Sequence, residues 1–442
     1  MKATMAAATV LAALATGNAS LAQSTPAAAP TLPDPAGTDS KALGWMQGFP
    51  PPPDKVVTFG NGSFYSFPRT RWSFSHMREM VPTVNVWRGS SAPTVLPVEM
   101  KNLDQLSFTD DKGAKATWAD MLARTYTDSI IVLHKGKVIY EKYSGSAEPQ
   151  LPHTAFSVTK SFIGTLAAIL AAEGTLDPAA PVTKYIPELK DSAYGDATVR
   201  QVMDMTIGVQ YSEDYANPKA EVFDYARSGG MLPVGPGYTG PKNFYEFLVK
   251  LKKEGNHGEA FAYKTANAEV LTWIIKRASG KSASVLMSEK IWQKLGAEND
   301  AYFSVDSIGS ESGGGGLNLP LRDMARFGEM MRLGGKFNGQ QIVPASVVED
   351  IRKGGDPAKF AKAGYPNVAG YGSGYSYRSM WWVSGNKDGV FDARGIHGQR
   401  IYINPKAELV IAKFSSHPIA GNIANIPLTD AAFGALADSL SK

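Results

Sequence analysis

Strand-like runs gather at the two ends of the main body of this chain, and helix-like runs fill the space between them. SIIVLHKGKVIYEKY reads as a β-hairpin: a strand over 129–134, a Lys135-Gly136 turn and a return strand over 137–143. Near the other end SMWWVSG, GVFDARG, QRIYINP and ELVIAKFSS are four more strand-like runs, closed by an amphipathic helix over about 428–441. Helical patterns lie between, at LKDSAYGDATVRQVMDMTIGV, 243–254, 266–279 and 283–294. The arrangement predicts an α+β fold, with an antiparallel sheet formed by both ends of the chain, flanking helices and an inserted helical lobe. A site is expected in the cleft between the lobes.

At 442 residues the chain is long for one compact core, so two lobes are expected. The N-terminus, MKATMAAATVLAALATGNASLAQ, has a lysine at position 2, an apolar core and a Ser20-Leu21-Ala22 ending. It reads as a secretory signal over 1–22 cleaved after Ala22, which predicts a secreted or periplasmic protein. Its apolar core falls short of the roughly 20 residues a membrane span needs, and no later run qualifies. Residues 23–53 are Pro/Ala-rich and read as a linker, ending in the Pro50–Pro53 run. Residues 54–117 lack clear periodicity and read as an aromatic-rich arm wrapped on a main body over 118–442.

A net charge of +4 without any dense Lys/Arg run argues against nucleic acid as a partner. Cysteine is absent, which removes thiol nucleophiles, disulfides and Cys-ligated zinc. The six histidines form no H-x-x-x-H pair, so neither a metal nor another cofactor is expected.

HTAFSVTKSFIGTLAAILAAEGTLD begins at His153. It carries an apolar helix (Phe162, Ile163, Leu166, Ile169, Leu170) whose first turn holds Ser157 and Lys160. A buried lysine is costly, so its place at the mouth of such a helix calls for a reason. S-x-x-K alone carries little information, and the chain has three matches. Ser384/Lys387 lies in a turn, Ser439/Lys442 at the terminus, and only Ser157/Lys160 opens an apolar helix. Residues i and i+3 share a helix face, so hydroxyl and amine can meet. The positive end of the helix dipole favours a developing oxyanion. Desolvation lowers a lysine pKa and makes a neutral base available at pH 7. The competing reading is Ser157 as an N-cap with Lys160 reaching to solvent.

A third group is needed to relay the proton. FAYKTANAEVLTWIIKRASG offers Tyr263 just before an apolar helix; Tyr215 in EDYANP and Tyr402 in YIN compete with it. SVTK at a long helix, followed about a hundred residues later by Tyr263 and its helix, resembles the serine β-lactamase and penicillin-binding-protein superfamily, class C-like branch. In place of K-T-G the chain has ARGIHGQRIYINP. With GWMQGFPPPPDK and Y-K-T-A-N, this resembles the 6-aminohexanoate-dimer hydrolase group. The resemblance implies a β-lactamase-like serine hydrolase domain over 118–442 that cleaves short amides or carboxylic esters. It implies Ser157, Lys160 and Tyr263 as catalytic residues and an oxyanion hole of the Ser157 and Ile396 backbone N–H groups. Tyr215, Asn267 and His397 are candidate substrate contacts; the competing readings are an ordinary loop tyrosine for Tyr215 and a strand histidine satisfying local hydrogen bonds for His397. The partner is then a small-molecule amide or ester. Loss of the K-T-G lysine argues against β-lactams; Arg394 is the nearest permanent cation. A β-lactamase, a penicillin-binding or D-amino-acid peptidase, and a non-catalytic cell-wall-binding relic are the alternatives. The relic predicts loss of Ser157, Lys160 or the tyrosine, and all are present. A Ser-His-Asp hydrolase would use G-x-S-x-G, which does not occur. Four glycines at 313–316 read as a tight turn.

Overall fold

The structure, a computed structural model, describes residues 32–364 and 371–441. The signal over 1–22 lies outside them. Seven antiparallel strands form the central sheet. Their spatial order is Ser376–Arg378, Trp381–Val383, Phe391–Gly395, Gln399–Asn404, Leu409–Ser415, Thr127–His134 and Lys137–Tyr143. The two ends of the main body meet where Leu409–Ser415 pairs with Thr127–His134.

Side chains alternate across a strand, and here both faces are buried. Ile131, Leu133, Ile401, Ile403, Val410 and Ala412 join the large core on one face. Ile130, Val132, Tyr402, Leu409 and Ile411 pack on the other face with Trp118, Phe433 and Leu436. Two-sided burial explains why IIVL and LVIA read as unbroken apolar runs. The helices Val158–Ala172 and Leu321–Arg332 cover the first face, and Ile426–Leu440 covers the second. Phe162 stacks on Phe327 at 3.8 Å, locking the first two helices together.

Residues 54–117 are more than a wrapped arm. Their strand Thr83–Val86 pairs with Ala301–Ser304, which pairs with Leu317–Leu319, which in turn pairs with His153–Thr154. This second sheet delivers the chain to Ser157. Residues 32–53, expected as linker, instead carry short helices and place Trp45 in a satellite core with Val57, Phe64, Trp72 and Tyr302. Two helical patterns prove shorter than expected. Only Val199–Met203 and Phe244–Leu248 are helical, because the backbone beyond them is drawn into a bridge between Val209 and Lys253. Among the described residues no helix is long and apolar enough to cross a membrane.

Candidate active site

Phe156, the residue before Ser157, has φ +44. A bulky residue in the left-handed region costs on the order of 1–3 kcal/mol and persists only where its surroundings impose it. Here Phe74 and His397 hold its ring, with centroids at 4.9 and 5.3 Å. The turn sets Ser157 at the N-terminus of Val158–Ala172, where its hydroxyl makes no capping bond. Ser157 Oγ instead lies 2.8 Å from Lys160 Nζ.

Lys160 does not reach solvent: it is 1% exposed. Its Nζ also donates to the Gly314 carbonyl at 2.6 Å and lies 5.2 Å from the centre of the Tyr263 ring. Burial pushes the amine down to about 8, against an opposing pull from Glu213 and Glu269. The capping alternative for Ser157 and Lys160 therefore does not describe the folded chain.

The Gly314 carbonyl belongs to the four-glycine turn. A Cβ on Gly313 would fall 1.8 Å from Thr272 Oγ1, and one on Gly314 2.4 Å from Thr265 Cγ2. The turn is thus pressed onto the helix Ala266–Ser279, which only glycine permits. That helix also carries the segment bearing Tyr263, whose ring stacks on Trp382 at 5.4 Å. Thr265, two residues after Tyr263, donates its backbone N–H to Glu213.

Gly395 would place a Cβ 2.7 Å from the Ala155 carbonyl, so the end of the strand Phe391–Gly395 runs against the chain just before Ser157. This approach brings the segment carrying Ile396 alongside the Ser157 turn. His397 follows at φ +62, with its N–H given to the Ala420 carbonyl.

Tyr215 is half-buried and shares an electrostatic neighbourhood with Glu213, Tyr65 and Tyr263. Two expected substrate contacts are buried. Asn267 is fully buried, and its Oδ1 accepts from the Tyr194 hydroxyl at 2.9 Å. The His397 ring is buried, with Nδ1 at 2.7 Å from the His417 carbonyl and Nε2 at 3.2 Å from the Tyr65 hydroxyl. Burial lowers its pKa to about 4, so the ring is neutral. The His397 ring thus has both nitrogens engaged, whereas Asn267 Nδ2 is buried without a hydrogen-bond partner. Arg394 is similarly engaged: Nε donates to both Asp392 oxygens at 3.0 and 2.9 Å, and Nη2 donates to Tyr375 at 2.9 Å.

Sequence reasoning missed Tyr65, Glu213, Glu269 and the Gly314 carbonyl. Tyr65 comes from the arm, and its edge meets the His397 ring at 5.7 Å. No spacing rule links it to Ser157. Glu269 sits two residues beyond the Y-K-T-A-N motif, and its position on the helix next to that motif is the one signal that could have found it. Among the described residues no group of His, Asp and Glu side chains could hold a metal ion.

Comparison with known proteins identifies the family. The Beta-lactamase family model matches residues 116–426. A 6-aminohexanoate-dimer hydrolase from Paenarthrobacter ureafaciens is 37% identical over 356 residues, 80% of this chain and 88% of that protein. A solved structure of a proposed 6-aminohexanoate-dimer hydrolase from Bacillus anthracis has a TM-score of 0.79 and 32% identity, covering 88% of this chain and 98% of that one. A D-stereospecific amidohydrolase from a Streptomyces species shares the fold alone, with a TM-score of 0.51 and 17% identity over 69% of this chain and 94% of that one. The chain belongs to the β-lactamase family, is similar within it to 6-aminohexanoate-dimer hydrolases, and is a hydrolytic enzyme of the serine-hydrolase type.

Proposed function

We propose that the protein hydrolyses short amides or carboxylic esters through an acyl-enzyme on Ser157. The observation that carries this reading is the 2.8 Å contact of the buried Lys160 amine with Ser157 Oγ. In its neutral form Lys160 donates to the Gly314 carbonyl and keeps a lone pair for the Ser157 proton. Ser157 Oγ then attacks the substrate carbonyl, and the oxyanion is met by the backbone N–H groups of Ser157 and Ile396. Tyr263, whose ring lies beside the same amine, carries the proton to the leaving nitrogen or oxygen. Water enters by the reverse route and releases the acid. Tyr215 lines the cleft for the leaving group. Export follows from the signal-like N-terminus, with cleavage after Ala22.

Linear substrates are favoured over β-lactams. A β-lactam carboxylate needs a cation beside the oxyanion strand, and Arg394 there is already paired with Asp392. A charge-assisted hydrogen bond contributes roughly 1.5–3 kcal/mol, so its loss costs on the order of 10–100-fold.

Three outcomes test the reading. Ser157→Ala should retain the fold and show no adduct by intact-mass spectrometry after a fluorophosphonate, whereas the parent gains one; an adduct on the variant would remove Ser157 from the mechanism. Tyr263→Phe should lower kcat on a p-nitrophenyl ester by about 10²–10⁴-fold, while Tyr215→Phe acts mainly on KM; the reverse pattern would exchange the two tyrosines. Finally, kcat/KM for p-nitrophenyl acetate should exceed that for a chromogenic cephalosporin on one preparation, with a linear aminohexanoate dimer as the amide probe. A cephalosporin value at or above the ester's would make the protein a β-lactamase in activity as well as in family.

A further inference from the structure

Glu269 is a buried carboxyl that the mechanism above does not use. It is 2% exposed and lies in the first turn of the helix Ala266–Ser279. Its two oxygens collect four donors. Oε1 accepts from the Tyr225 hydroxyl at 2.6 Å, the Gly314 N–H at 2.8 Å and the Ser312 hydroxyl at 3.2 Å; Oε2 accepts from the Gly313 N–H at 3.0 Å. Two successive backbone N–H groups of the glycine turn are therefore tied to one carboxyl. The peptide that follows the Gly314 N–H carries the carbonyl 2.6 Å from Lys160 Nζ. No side chain could replace these contacts from within the turn, since a Cβ on Gly314 would lie 2.8 Å from Glu269 Oε1 itself.

We propose that Glu269 is a positioning residue of the hydrolytic reaction: through Gly313 and Gly314 it fixes the carbonyl that holds Lys160 against Ser157, and its charge opposes loss of the lysine proton. The inference rests on Lys160 being the base for Ser157. Burial raises the Glu269 carboxyl to about 7 and lowers the Lys160 amine to about 8, so the two titrate in neighbouring ranges and each stabilises the other's charged form. The titratable groups facing this pair are Tyr225 from the helix Glu221–Ser228, Glu213 from the loop before that helix, and Tyr263. Glu213 pulls on the amine in the same direction, but it is half-exposed and anchors the Thr265 N–H, not the glycine turn.

The sign of the effect follows. The neutral amine is the active form, so kcat/KM rises with pH through the lysine limb. Removing the Glu269 charge makes the neutral amine easier to reach and moves that limb to lower pH. Loss of an opposite charge that acts on the amine lowers its pKa. Loss of the fixed carbonyl lowers the plateau at the same time, roughly 10- to 100-fold for a displacement of about 1 Å.

The test is the pH profile of kcat/KM for p-nitrophenyl acetate, from pH 5 to 10, in the parent and in Glu269→Gln. A limb displaced to lower pH together with a lowered plateau supports the proposal. A purely structural role would lower the plateau, through loss of folded enzyme, and leave the limb where it is; that result overturns the proposal. If the parent itself shows no rising limb near pH 8, the assignment of Lys160 falls, and this proposal with it. Tyr225→Phe, which removes one donor from the same carboxylate oxygen, carries the test should Glu269→Gln fail to fold. It should protonate Glu269 more readily and move the limb in the same direction by less. An unmoved limb in folded Tyr225→Phe would then count against the proposal.

Discussion

The site is organised around a lysine amine that has exchanged water for two oxygens. Lys160 Nζ sits between Ser157 Oγ and the Gly314 carbonyl in a setting that solvent does not reach. Burying an ammonium without compensation is costly. The protein limits that cost by surrounding the amine with a carbonyl, a hydroxyl, an aromatic face and two carboxyls at longer range. The balance leaves a proton held loosely enough to leave near neutral pH. Packing elsewhere keeps those partners in place: the glycine turn pressed on its helix, Phe156 held by aromatic rings, and the end of the Phe391–Gly395 strand abutting Ala155.

The two sheets divide this work. The seven-stranded sheet brings the Phe391–Gly395 strand and its Ile396 extension to the site from the C-terminal end of the chain. The smaller sheet, seeded by a strand from the arm, delivers Phe156 and Ser157. The helical lobe contributes Tyr263 and Glu269, with Glu213 and Tyr215 near Tyr263. A hydrolytic centre at the meeting of these parts has few local determinants. This is consistent with one fold carrying amidohydrolase and dimer-hydrolase relatives alike.

Legibility in the sequence followed the range of the interactions. The hairpin at Lys135-Gly136, the C-terminal strands and the helices after Ser157 and Tyr263 are specified by local turn chemistry and periodicity, and they stand where the pattern put them. The Ser157–Lys160 contact was also readable, because i and i+3 on a helix must be neighbours. Contacts between distant segments were not. Thr83–Val86 gives a weak strand signal alone and is stabilised by Ala301–Ser304. Residues 252–254 are drawn from a helical pattern to the 208–210 segment, where Lys253 bridges to Val209. Asn267 and His397 had the residue types of ligand contacts, but motif spacing does not say which way a side chain turns. The first ten residues of the helix Ala266–Ser279 are buried, Asn267 among them with its Nδ2 unpartnered.

The central claim is that Lys160 gives up its proton near neutral pH while it is held against Ser157. NMR titration of the protein with its lysines labelled with ¹³C at Cε measures this directly. Lys160→Ala assigns the resonance, which is necessary because burial also lowers the Lys413 amine, to about 7. The account predicts that the resonance missing from Lys160→Ala has its midpoint near 8 in the parent. A midpoint near the ordinary lysine value of about 10.4 would contradict it.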